Sequence, residues 1–72
     1  MQVLVEFTEN PSGRSVAINV QHIVSIHCTI TGKAKIVTAE HTEGLDLDES
    51  YVYVRDVVRM RLKDMYPYGT QA

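Results

Sequence analysis

The chain has no tryptophan, one cysteine, two prolines and four glycines in 72 residues. A lone Cys28 excludes an internal disulfide and fits a reducing compartment or a small buried filler. No C-x-x-C or H-x-x-x-H pair exists, so the usual zinc frameworks are missing. The glycines, Gly13, Gly32, Gly44 and Gly69, stand singly, so none builds a phosphate-cradling loop. No apolar run approaches the roughly 18 residues of a membrane span, and the Met-Gln-Val-Leu-Val-Glu start lacks a basic leader region. These features point to a cytoplasmic protein with no membrane role. A formal net charge of −2 disfavours broad electrostatic binding to nucleic acid.

A chain this short holds one domain, read as residues 1–65 with a flexible tail over 66–72. Such a domain buries little more than half of its unfolded surface and stays marginal unless something adds to its core. With a disulfide excluded, oligomerisation or a partner is the addition left.

Apolar residues at every second position mark the strands. Val3, Val5 and Phe7 share one face, and Val16, Ile18 and Val20 share another. Asn10-Pro11-Ser12-Gly13 between them has turn chemistry, so these two strands should pair antiparallel. After a break at Gln21-His22, Val24, Ile26, Cys28 and Ile30 predict a third strand with a buried face. Thr31-Gly32-Lys33 turns into a strand over 34–39, and His41-Thr42-Glu43-Gly44 loops to a short fifth strand at Leu45-Asp46-Leu47. Asp48 is the expected N-cap of a helix running to about Asp64, with Glu49 in its first turn and Pro67 blocking extension. The fold class is therefore α+β: a small antiparallel sheet or half-barrel of four to five strands, then one C-terminal helix.

That helix has two apolar sides. With residues 100° apart, Tyr51, Val54, Val58, Leu62 and Met65 fall within roughly 80° of one another. Tyr53, Val57 and Met60 cluster on nearly the opposite side, which one small sheet cannot also cover. Arg55, Arg59 and Lys63 fill one flank, with Arg61 nearby. The expected protein-interaction residues are therefore Tyr53, Val57 and Met60 with Arg55 and Arg59. They would serve a non-enzymatic module that docks on a larger protein or forms a homo-oligomer. The alternative is a nucleic-acid-binding regulator using Arg55, Arg59, Arg61 and Lys63.

Chemistry finds little to work with. His27 and Cys28 are neighbours on a strand and so point to opposite faces, and His22 sits at a turn. Cys28 reads as an inert buried thiol. Glu40, Glu43, Asp46, Asp48 and Glu49 read as a solvated acidic rim. No catalytic residue, metal site or cofactor is expected.

One stretch resembles a known family. Ile18-Asn19-Val20-Gln21-His22-Ile23-Val24-Ser25-Ile26, then Ile36-Val37-Thr38, then Glu49-Ser50-Tyr51 with Val54 and Val58, is similar to the small FlbD-like flagellar and swarming-motility-associated proteins. Their pattern is a strand, an "I-N-x-x-x-I-x-x-I" corner, a strand ending in threonine, a short strand, and "E-S" opening a helix. The likeness spans about residues 15–62 and implies a cytosolic strand-rich domain with a terminal helix. The loop from Glu40 to Gly44 is longer than in that pattern, and the first strand and turn are extended. The same stretch resembles the first half of a LytTR-type DNA-binding domain, a family that continues past the helix with further strands. No binding residue carries over from either family.

Overall fold

A computed structural model describes residues 3–65. The expected tail over 66–72 lies outside the described residues. Five strands precede one helix: β1 Leu4–Thr8, β2 Ser15–Asn19, β3 Ile23–Cys28, β4 Lys33–Thr38, β5 Leu45–Ser50 and α1 Tyr51–Met65. A 3₁₀ turn, Val20–His22, joins β2 to β3. The class is α+β, with two small antiparallel sheets ordered β1-β2 and β3-β4-β5.

The first hairpin follows from its turn. Leu4 faces Asn19 and Thr8 faces Ser15. The Glu9 carbonyl accepts the Gly13 amide at 2.8 Å, and Glu9 N–H donates to the Arg14 carbonyl at 2.8 Å. Gly13 adopts a φ of 76°, a left-handed conformation that costs a glycine nothing. The break at Gln21-His22 is the 3₁₀ turn, capped by Asn19, whose side chain accepts from Gln21 N–H at 2.9 Å.

The two sheets meet along a sparse seam between β1 and β5. Glu9 bridges Leu47, and Asn10 N–H donates to the Asp46 carbonyl at 2.9 Å. Glu49 then supplies what the backbone does not. Both its carboxylate oxygens accept the Thr8 amide, at 2.9 and 3.0 Å. This overturns Glu49 as a first-turn helix charge, because β5 runs on to Ser50.

One core spans both sheets and the helix. Val5, Phe7, Ile18, Val20, Ala34, Ile36, Leu47, Val54 and Val58 are its buried apolar members. β4 shows the period-two rule most plainly, with Ala34, Ile36 and Thr38 buried and Lys33, Lys35 and Val37 only partly so. Full burial of an Ile36-sized side chain stabilises by roughly 1.5–3 kcal/mol. Thr38 is the buried polar residue, and its Oγ1 accepts the His41 amide at 3.0 Å.

The expected buried face of the third strand fails. Val24 is 69% exposed, Cys28 is exposed, and Ile30 lies beyond the strand in open solvent. The cause is a bulge between Ile23 and Ser25 on the edge strand β3. An extra residue shifts the alternation, so Ile23 and Ile26 both reach the core while Val24 is left outside. Cys28 pairs with Ala34 at the end of the ladder, where no further element covers it. The inert buried thiol is accordingly an exposed one.

Candidate functional site: the C-terminal helix and its overhang

The helix begins where a hydroxyl can cap it. Ser50 Oγ accepts the Tyr53 amide at 3.1 Å, the geometry of an N-cap bonded to the third helical residue. The expected cap, Asp48, instead pairs with Lys33 Nζ at 3.0 Å as part of β5. Tyr51 N–H donates to the Gly32 carbonyl at 2.9 Å and fixes the first turn onto the β3–β4 corner. From there α1 crosses β3, β4 and β5, burying Val54 and Val58 completely or nearly so.

Val58 is the last buried residue of α1 among the described side chains, and the helix continues to Met65. Every residue from Arg59 to Asp64 is exposed. Leu62, expected to be buried, is 38% exposed for this reason, and the side chain of Met65 lies outside the described part. Arg61 falls between Val54 and Val57 in helical angle, on the core-facing side. A guanidinium tolerates that angle because the side chain is exposed.

The second apolar stripe is divided. Met60 is 66% and Tyr53 54% exposed, whereas Val57 is half-buried and packs on the core margin. One edge of Tyr53 is occupied, since its ring meets Phe7 edge-on at 6.4 Å. Val57, Met60, Arg61 and Asp64 line a shallow depression on this flank. Val52, 53% exposed, adds a further apolar side chain.

The basic residues separate into two kinds. Arg55 is engaged within the helix: its guanidinium lies 5.7 Å from the Tyr51 ring centre and bonds Asp56 Oδ1 at 3.1 Å. Arg59, Arg61 and Lys63 sit exposed on the overhang, in no ion pair among the described residues.

Sequence reasoning missed a cleft at the junction of the sheets. Leu4, Val16 and Ile18 form its apolar floor, with Asn19, His22, Thr38, Glu40 and His41 around it. His22 Nδ1 and Glu40 Oε2 are 2.8 Å apart, and the His22 carbonyl accepts Ala39 N–H at 3.0 Å. The antiparallel pairing of β3 with β4, in which Ile23 faces Thr38, brings these two residues together from eighteen positions apart. Among the described residues, no three His, Cys, Asp or Glu side chains converge as a metal site would require. Ser25 Oγ and His27 Nε2 lie 2.9 Å apart, an i, i+2 pair on the exposed edge strand. No described helix is long and apolar enough to cross a membrane.

Compared with known proteins, the chain matches no protein-family model, no curated protein and no solved structure.

Proposed function

We propose that the protein is a small non-enzymatic interaction module that engages another protein surface through the outer flank of α1. The observation that carries this reading is the overhang. A helix continues beyond its own sheet while presenting Met60, Leu62 and half of Tyr53 to solvent. Isolated short helices are marginal in water, so a segment without tertiary support gains most from a partner. Tyrosine, methionine and arginine are also the residues that contact surfaces favour. The shallow, open depressions agree with a binding role better than with catalysis. The likeness to FlbD-like proteins fits such a module without naming what it binds.

The test uses Met60→Asp, because Met60 is exposed and outside the core, whereas Tyr53→Asp also disturbs Phe7. Met60→Asp is expected to abolish association while the circular dichroism spectrum and unfolding midpoint stay within error. Association at wild-type strength with Met60→Asp refutes the flank as the contact.

A second reading draws on the exposure of Arg59, Arg61 and Lys63: a regulator that lays the overhang on nucleic-acid phosphates. It predicts retention of DNA or RNA that weakens steeply with salt. Absence of retention at low salt removes it.

A further inference from the structure

We infer that the occupant of this flank is a second copy of the chain, docked as an antiparallel helix pair; the inference rests on the interaction-module reading above. Tyr53, Val57, Met60 and Asp64 follow one another at intervals of four, three and four residues. That spacing is the seam of a coiled coil. Asp56 and Lys63 border the seam on one side, Val54 and Arg61 on the other. Val54 is fully buried, so the second side adjoins the molecule's own sheet and the first faces solvent.

The charges decide the orientation. A parallel pair sets each seam residue against itself and brings two Asp64 carboxylates together. An antiparallel pair sets Val57 against the partner's Met60, and Tyr53 against the partner's Asp64, where the phenol can donate to the carboxylate. Along the solvent side it places Asp56 opposite the partner's Lys63, twice by symmetry. The same arrangement lays each overhang beside the partner's first helical turns, over the rim of the partner's sheet. There Arg61 comes beside the rim of the partner's sheet, while Leu62, on nearly the opposite side of the helix, stays outside the contact. Among the described residues Asp56 pairs with half-buried Arg55 alone, and at a half-exposed position such a pair is weak, so its carboxylate can be shared.

Sedimentation equilibrium of the intact chain, from roughly 10 μM to 1 mM, tests this, since a seam of a few turns predicts a weak dimer. The mass should rise toward two chains. Asp56→Lys and Lys63→Asp should each weaken the dimer by about tenfold, by setting like charges opposite each other at both symmetric positions. An equimolar mixture of the two variants, and the double variant, should recover wild-type dissociation to within about threefold. Both positions are solvent-exposed, so neither change should move the unfolding midpoint. A one-chain mass throughout overturns the inference. If Met60→Asp nevertheless abolishes binding to a different, identified protein, the module reading stands without it. A dimer weakened by Asp56→Lys but indifferent to Lys63→Asp overturns the antiparallel alignment.

Discussion

Glu49 shows how far one side chain can depart from its sequence neighbourhood. It lies in an acidic run just ahead of a helix, where carboxylates commonly favour the macrodipole. Instead it reaches 41 residues back to hold the Thr8 amide with both oxygens. It stands in for a strand carbonyl at a seam with few other backbone bonds. Glu49→Ala leaves a partly buried amide without its acceptor and should cost about 1–3 kcal/mol. In urea this appears as a lower midpoint at unchanged slope. A midpoint unmoved by the change would mean that water replaces the carboxylate without loss.

At the scale of elements, periodicity revealed β1, β2, β4 and the helix because each has one buried side and a regular repeat. Val5 and Phe7, or Ala34 and Ile36, repeat every second position and are buried accordingly. β3 broke the rule through its bulge, which depends on pairing with β4 and leaves no mark on Val24 or Ile26 themselves. The start of α1 was misplaced because Asp48 and Ser50 are both good caps in isolation. Extension of β5 along β4 and β1 decided between them. The two residues therefore have distinguishable costs. Ser50→Ala removes the cap and should destabilise by about 1 kcal/mol. Asp48→Ala removes an exposed ion pair with Lys33 and should cost no more than about 0.5 kcal/mol. Thermal unfolding of both variants checks the order, and the reverse order would restore Asp48 as the cap.

For the whole molecule, the sequence showed that the helix carries two apolar sides but not where the sheet beneath it stops. Tyr53 and Met60 are outside as expected, Val57 only partly so, and Leu62 unexpectedly joins them. That last point depends on how far β3, β4 and β5 extend under the helix, a property of the assembled fold. The His22–Glu40 contact has a nearer cause, the β3–β4 hairpin, whose Ile23–Thr38 pairing sets the Val20–His22 turn beside Ala39 and Glu40. An overhang without tertiary support should also be the least protected part of α1. Amide hydrogen exchange in dilute solution should run much faster over residues 61–64 than over 55–58. If copies pair as inferred above, exchange over 61–64 should slow as concentration rises. Equal protection of both halves at low concentration would mean that the overhang is stabilised from within the chain.

The bulge at Val24 carries a separate consequence for how such contacts can spread. An interrupted strand margin is a poor template for lateral addition of foreign backbone. Over Ile23 to Ser25, β3 therefore offers a neighbouring polypeptide no regular ladder to extend. If two chains join through their helices as inferred above, the kinked part of this border gives that contact no regular ladder toward a third. On those terms an isologous helix contact, which pairs a surface with itself, closes on two chains without drawing on β3.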